Sequence, residues 1–190
     1  MEENKMNKFK IFSLVAGTLS FVIILIIGIV GIHISVDGFA GGTQHETISM
    51  FKNSSDGSIA SNYSTTLGVA LFFGVVALVL GIVSAFVKGK AVIALVSVEL
   101  AMICLTYVII SFGVFELKID VNDLDGWYYY TNDPENDFFV DFNCDSWSVT
   151  LTHLLNFVQF GVGLGFTIAC VVGTSRMLKG NAPATPKKLD

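Results

Sequence analysis

Four long apolar runs constrain the fold of this chain more than any other feature. Each is close to the roughly 20 residues that an α-helix needs to cross the hydrocarbon core of a bilayer. The runs cover residues 11–32, 66–87, 91–115 and 151–173, and the segments between them are 33–65, 88–90 and 116–150. This pattern predicts an all-α membrane protein, a four-transmembrane-helix bundle with two extracellular or lumenal loops.

Composition favours the same fold. Of the 190 residues, 53% are hydrophobic and 14% are charged, whereas an ordinary soluble domain has about 25% charged residues. The first run is longer than the roughly 7–15 residues of a signal-peptide core, so we expect an uncleaved anchor. A cleaved leader is the alternative, and it would leave three spans.

The basic residues predict the orientation, because short segments rich in Lys and Arg stay on the cytosolic side. Only Lys52 and Lys118 fall in the two longer loops. The other nine lie in the tails, 1–10 and 174–190, and in the turn 88–90: Lys5, Lys8, Lys10, Lys88, Lys90, Arg176, Lys179, Lys187 and Lys188. We therefore expect both termini in the cytosol. The membrane is expected to be the plasma membrane or a secretory or endosomal membrane.

The first loop carries two acceptor patterns for N-glycosylation, at Asn53 and Asn62. Such tripeptides mark surface loops of secretory-route proteins, which predicts a glycoprotein with its first loop outside. Asn62 lies near the start of the second span, so Asn53 is the better candidate. Of the three cysteines only Cys144 lies in a loop, where it either pairs between chains or stays a free thiol.

Small side chains recur along the helices, and small residues let membrane helices approach closely. Span one carries Gly17, and span two carries Gly74, Ala77 and Gly81 in steps of three and four residues. Span three repeats the step with Ala94, Ser97 and Ala101. In span four, small residues recur every four positions, at Gly161, Gly165, Ala169 and Gly173. We expect the seams of spans two and three to face each other. The seam of span four packs within the bundle or contacts another protein.

Glu99 is the only ionisable residue well inside a span. A charge at the bilayer centre costs about 2.5–3.5 kcal/mol on the gentler insertion scale, so Glu99 should face the bundle. It is either a neutral acid bonded to a neighbouring helix or an ionised group that handles protons or cations. We expect Gln159 at a similar depth as its partner, with Asn156 as a further polar contact between helices.

The second loop is acidic and aromatic. Nine acidic residues accompany Lys118 alone, and the loop contains the cluster Trp127, Tyr128, Tyr129 and Tyr130. The segment 120–126 resembles part of a calcium loop, but with Gly126 as the turn glycine, Val121 falls at the first ligand position and Asn132 at the last. Weak calcium binding is therefore the minor alternative. We expect this surface to lie on the membrane or on a partner protein.

No constellation for catalysis is visible in the sequence. No nucleophile, base and orienting acid lie together, and the three histidines are scattered. We expect no enzyme activity, no cofactor, no metal and no nucleic-acid partner. The expected partners are the lipid bilayer and other membrane proteins, including further copies of the chain.

Two cytosolic tails, a very short basic turn, two outer loops and a Glu in the third span resemble the layout of a divergent tetraspanin. The resemblance implies that Gly17, Gly74, Ala77 and Gly81 pack the early helices. It also implies that Glu99 and Gln159 are buried hydrogen-bonding groups. The second loop has Cys144 alone, where a tetraspanin carries Cys-Cys-Gly and further disulfide cysteines. The claudin and peripheral-myelin-protein group shares the topology and is the second resemblance, although the first loop lacks its Trp and Cys residues.

These observations predict a non-enzymatic membrane protein that organises or adheres to partner proteins in the plane of the membrane. The alternative is a channel, a transporter or an accessory subunit in which Glu99 handles protons or cations. A Glu99→Gln variant separates the two, because an amide keeps the hydrogen bonding but cannot carry a proton.

Overall fold

The computed structural model describes residues 2–39, 42–50, 59–124, 127–129 and 138–180, and four long helices dominate it. They are α1 Glu2–Val30, α2 Ile59–Phe86, α3 Ala91–Leu124 and α4 Ser146–Gly180. Each contains a stretch long and apolar enough to cross a membrane. The predicted fold class is therefore confirmed, and the chain is a multi-pass integral membrane protein.

The helices form an antiparallel ring in which α1 packs against α2 and α4, and α3 packs against the same two helices from the other side. The start of α1, the turn between α2 and α3, and the end of α4 lie together, at what we call the terminal end. In that turn Gly89 has a φ of 73°, a left-handed conformation that favours glycine.

A four-stranded antiparallel sheet covers the opposite end, which we call the sheet end. Its strands are β1 Ile32–Phe39, β2 Gly42–Ile48, β3 Trp127–Tyr129 and β4 Phe138–Cys144, in the order β2-β1-β4-β3. Because β1 and β4 pair directly, with Ile34 opposite Cys144, the two segments between the helices share one sheet. These strands were not predicted.

Gly31 makes the sharp junction between α1 and β1. Its φ of 65° is left-handed, and its N–H donates to the carbonyl of Ile27 at 2.9 Å, which closes the helix. A Cβ at this position would collide with the backbone carbonyl of Ile48. Glycine is therefore required both by the conformation and by the close approach of β2.

The apolar core has a large cluster at the sheet end, where Ile32, Ile34 and Ile48 of the sheet pack on the bundle. A middle cluster contains Ala16, Ala77 and Ile103. A third lies at the terminal end. It consists of Val92, Val96 and Cys170, with Phe9, Phe12, Val87 and Val171 packed against it.

The predicted contact between the small seams of α2 and α3 is wrong. The α2 seam is buried, but α1 covers it: a Cβ on Gly74 would lie 2.7 Å from Ile24, and one on Gly17 would lie 2.7 Å from the Ala77 carbonyl oxygen. Ala94, Ser97 and Ala101 of α3 are exposed on the outer surface of the bundle.

Instead, α3 turns a stripe with several large residues inward, at heptad spacing. Its buried members are Val92, Val96, Glu99, Ile103, Thr106, Ile110 and Val114. Large side chains of α3 thus fill the space that small residues leave on the neighbouring helices, which is knobs-into-holes packing. Ile103 illustrates this, because a Cβ on Gly163 of α4 would lie 2.9 Å from it.

The seam proposed for α4 faces the bundle only at its C-terminal end. Gly161 and Gly165 are exposed, with no atom within 4 Å of a Cβ built on either. Ala169 is half-buried. Gly173, the last member of the seam, packs against Phe9 of α1, and Gly163, which the seam did not include, packs against Ile103 of α3. Spacing alone did not reveal the inward face, because apolar and small residues occur all around this helix.

Candidate functional site

Glu99 lies where α1, α2 and α3 meet, and its side chain is fully buried. Its Oε2 accepts a hydrogen bond from the Ser13 hydroxyl of α1. Ser84 of α2 in turn donates to Ser13 at 2.9 Å, and its hydroxyl also lies 2.8 Å from the Gly81 carbonyl. A short hydrogen-bonded chain therefore joins three helices at one level of the membrane.

Gly81 makes room for the carboxyl group. A Cβ there would lie 3.2 Å from Glu99 Oε1 and 3.0 Å from the Ser13 carbonyl oxygen. Any side chain at this position would crowd the acid or push α1 away from α2. The small residue that the sequence analysis assigned to helix packing therefore also shapes the polar site.

Lys10 lies one helical turn before Ser13 and is buried. Its ammonium group donates to the carbonyl of Ala85 at 3.3 Å. Ala85 is in the last turn of α2, whose carbonyls have no partner within the helix. Lys10 thus caps α2 from a neighbouring helix, a role that the sequence analysis did not predict.

A second polar level contains Gln159, whose amide donates to the Ser20 hydroxyl at 2.6 Å. The predicted Glu99–Gln159 pair is not formed, because Glu99 bonds to Ser13. Ser13 and Ser20 are about 10 Å apart along α1, from a rise of about 1.5 Å per residue. The sequence analysis expected a similar depth, whereas the two polar levels lie about two helical turns apart.

Asn156 joins α4 to α3. Its amide group lies 3.0 Å from the Tyr107 carbonyl oxygen and 3.0 Å from the Ser111 hydroxyl. Tyr107 also stacks on Phe160, with ring centroids 4.7 Å apart. The prediction named Asn156 as a polar contact between helices, and the structure identifies α3 as the helix it contacts.

Sequence reasoning missed that a stripe of polar or small residues forms most of the buried face of α4, where Val149 is the one larger apolar residue. The stripe consists of Ser148, Thr152, Asn156, Gln159, Gly163, Thr167, Cys170 and Thr174. The steps of three and four between these residues carry a heptad signal. Following polar residues instead of glycines would have found it, because in lipid the polar face of a helix turns inward.

The two polar levels are separated by an apolar layer. Ala16, Ala77 and Ile103 fill the core between the Glu99 level and the Gln159 level, and all three are fully buried. Among the described residues, Glu99 Oε1, Gln159 Oε1 and Asn156 Oδ1 have no hydrogen-bond partner. Each polar level therefore has an oxygen that can accept a further hydrogen bond. The middle cluster contributes no polar side chain that would connect the two levels.

At the sheet end a second set of bonds fastens β1 to the start of α4. The His33 N–H donates to Ser148 Oγ at 3.0 Å, and the Asp145 N–H donates to the His33 carbonyl at 2.7 Å. The His33 ring also lies 4.6 Å from the Trp147 ring, centroid to centroid. These contacts fix the first strand to the fourth helix.

The predicted partner surface falls only partly in the described chain. Trp127, Tyr128 and Tyr129 form β3, with their backbone paired to β4 in register Trp127–Val140 to Tyr129–Phe138. Tyr130 lies outside the described residues. The aromatic cluster therefore begins on an outer strand of the sheet.

The glycosylation candidates differ in position. Asn53 lies outside the described residues. Asn62 is exposed but lies within α2, and Ser64 of its acceptor pattern donates to the Ser49 carbonyl at 2.8 Å. Glycosylated asparagines normally lie in surface loops, whereas Asn62 lies in a helix and Ser64 is already hydrogen-bonded. Asn53 therefore stays the better candidate.

Cys144 is half-buried in β4, and burial raises the pKa of its thiol to about 11. Nearby Lys118 lowers the pKa and Asp145 raises it, and both effects are smaller than that of burial. A neutral thiol is a poor nucleophile and metal ligand. The part of the chain that the structure describes contains no group of three or more potential metal-ligating side chains, and the expected absence of a metal stays a prediction.

The fold and its polar levels define a class: a four-pass integral membrane protein whose helices are joined by buried hydrogen bonds. Comparison with known proteins adds no family assignment. No family model matches the sequence, and no curated protein matches it significantly.

Proposed function

We propose that this protein organises or adheres to partner proteins in the plane of the membrane, without catalysis, in the manner of a tetraspanin-like or claudin-like scaffold. The observation that supports this most is the pairing of β1 with β4. This pairing joins the segment after α1 and the segment after α3 into one sheet, β2-β1-β4-β3, which we call the platform. An ordered platform lowers the entropy cost of presenting a binding surface.

The platform is anchored in three ways. Ile32, Ile34 and Ile48 pack into the bundle core, Gly31 fixes the exit from α1, and Ser148 bonds to the backbone of His33. The acidic, aromatic segment between α3 and α4 is attached to this base through β3 and β4. We propose it as the partner-binding surface, with Trp127 and Tyr128 to Tyr130 as anchors, because aromatic residues dominate protein interfaces.

We propose that Glu99 is structural and neutral. Among the described residues no Lys or Arg lies within ion-pair distance of it, and a bare carboxylate is costly inside a membrane. A protonated carboxyl group accepts from Ser13 through one oxygen and carries its proton on the other. In this function the contact holds α1, α2 and α3 together in the bundle that carries the platform.

The second candidate is a channel, a transporter or an accessory subunit with Glu99 as the proton- or cation-handling group. The unpartnered Glu99 Oε1 favours it, because a buried acceptor can hold a proton, a water molecule or a cation. The apolar layer around Ile103 opposes it, since that layer interrupts the polar groups. The scaffold is therefore the preferred function.

We propose cytosolic termini and an extracellular or lumenal sheet, in the plasma membrane or in secretory or endosomal membranes. Lys10, Lys88, Lys90, Arg176 and Lys179 all lie at the terminal end, which supports this orientation through the positive-inside rule. A glycan on Asn53 would test it. Loss of a glycosidase-sensitive gel shift in Asn53→Gln supports the orientation, and a shift that persists there but vanishes in Asn62→Gln contradicts our choice of acceptor.

The partner surface is tested with two matched quadruple variants. In one, Trp127, Tyr128, Tyr129 and Tyr130 become Ser, and in the other they become Phe. Full-length protein is crosslinked in native membranes and purified in mild detergent, and co-purifying proteins are quantified. We expect the Ser variant to lose the partners and the Phe variant to keep them. Equal capture by wild type and the Ser variant would eliminate this surface.

A further inference from the structure

A groove between α1 and α4 opens at the terminal end of the bundle, and the proposed function does not use it. Its volume is about 410 Å³. The lining residues are Phe9, Ala169, Val172, Gly173, Arg176 and Met177. All of these residues except Arg176 are apolar, so the groove has an apolar lining with one positively charged side chain.

The groove follows the helix axis. On α4 its residues step from Ala169 through Gly173 to Arg176 along one face, which spans about 10 Å at about 1.5 Å per residue. Because the helices cross the bilayer, the groove runs parallel to the acyl chains around it. Arg176 lies where the groove meets the terminal end of the bundle, close to Gly180, the last residue of α4.

The absence of a side chain on Gly173 shapes the wall of the groove. The Phe9 ring lies directly against Gly173, where a Cβ would overlap it. Phe9 neighbours Phe12, and Phe12 stacks on Phe166 of α4 with centroids 5.6 Å apart. Phe12 and Phe166 thus pack α1 against α4 deeper in the membrane than the groove.

At the terminal end, the charged side chains that the structure describes are all basic. Arg176 is exposed, and no described carboxylate lies within ion-pair distance of it. Lys179 follows one turn later on α4, and Lys88 and Lys90 lie in the turn at the same end. Basic residues near the membrane surface attract anionic headgroups, and an Arg binds phosphate through two parallel hydrogen bonds.

We propose that the α1–α4 groove is a binding site for an anionic phospholipid of the leaflet at the terminal end. One acyl chain lies along Phe9, Ala169 and Val172, and the phosphate binds Arg176. The site requires both parts of the ligand, since the groove supplies apolar contact over its length and a single cation at its mouth.

Native mass spectrometry of the full chain tests this with an equimolar mixture of phosphatidylglycerol and phosphatidylcholine of identical chains. The wild type should retain phosphatidylglycerol preferentially. Arg176→Gln should lower that preference about fivefold, the equivalent of about 1 kcal/mol for one basic residue near the surface. Lys179→Gln is the matched control: it removes the same charge from the same helix but does not line the groove, and it should change the preference less than twofold.

Two further arms identify what the groove contributes. Ala169→Phe fills the groove without changing its charge and should abolish retention of both lipids. If the Phe variant does not fold, Ala169→Leu is used in its place. Glycerol phosphate, a soluble headgroup without acyl chains, should not displace the lipid. Equal effects of Arg176→Gln and Lys179→Gln, unchanged retention in the filled variants, or displacement by glycerol phosphate would each overturn the proposal.

Discussion

The close contact between α1 and α2 makes a quantitative prediction for Gly17→Ala. The added methyl group would lie 2.7 Å from the Ala77 carbonyl oxygen and 3.0 Å from Leu78 Cα. Comfortable contact begins at about 3.5 Å, so the methyl group is about 0.5–0.8 Å too close to two backbone atoms. Backbone cannot rotate away as a side chain can, and the two helices must separate.

Gly161→Ala is the matched control. A Cβ at Gly161 meets nothing within 4 Å, although both glycines lie in the interior of a long apolar helix. Each substitution gains helix propensity, up to about 1 kcal/mol in water. That gain cancels in the comparison. The difference between the two variants therefore isolates the overpacking term, which is typically about 1–3 kcal/mol.

The assay is reversible unfolding in mixed detergent micelles, with helix content followed as the fraction of denaturing detergent rises. We expect Gly17→Ala to be less stable than Gly161→Ala by about 1–3 kcal/mol. A difference below about 0.5 kcal/mol, the scale of ordinary surface substitutions, would refute the close α1–α2 contact.

Three other predictions use the same preparation. Glu99→Leu should lower stability by about 0.6–1.7 kcal/mol, because it removes the bond from Ser13, whereas Glu99→Gln should stay within about 0.5 kcal/mol of wild type; equal losses would contradict the hydrogen-bonding role. Gly31→Ala should cost more than Gly89→Ala, since both have positive φ but only Gly31 faces a backbone carbonyl; equal costs would argue against that contact. In a variant lacking Cys104 and Cys170, alkylation of Cys144 should accelerate about tenfold per pH unit and continue rising past pH 9.5, because its pKa is raised to about 11; a plateau at about pH 9, as for an ordinary thiol, would contradict the burial.

The four spans were predictable because lipid imposes a length and a composition on any helix that crosses it. The helix ends were not, since α3 continues to Leu124 and α4 begins at Ser146, where the sequence is polar enough to read as loop. Past the bilayer surface, length and hydropathy no longer constrain a helix. At the start of α4, the hydrogen bonds of Ser148 and Asp145 to the backbone of His33 in β1 replace that constraint.

The sheet was missed although its strands carry a signal. Ile32, Ile34 and Val36 alternate with polar residues in β1, and Val140, Phe142 and Cys144 do so in β4. Alternation over so few residues is typical of a half-buried strand. The long-range pairing of β1 with β4 has no local signal at all, because it depends on the bundle bringing the two segments together.

The polar site was half predicted. Burial of Glu99 follows from the cost of a charged group in lipid. Gln159 and Asn156 are buried because their amides would lack hydrogen-bond partners if they faced lipid. Their partners, Ser13, Ser20 and Ser111, depend on the rotation and axial offset of whole helices. Sequence spacing fixes which residues share a face, but not which neighbour that face meets.

Ion flux through proteoliposomes tests the central claim, that the buried polar groups join helices in a protein that works by association. Purified full-length protein is reconstituted, and proton and sodium flux are recorded under a pH gradient and a membrane potential. The account predicts flux equal to that of protein-free vesicles, for wild type and Glu99→Gln alike. A flux above that level which Glu99→Gln abolishes would contradict it and establish Glu99 as an ion-handling group.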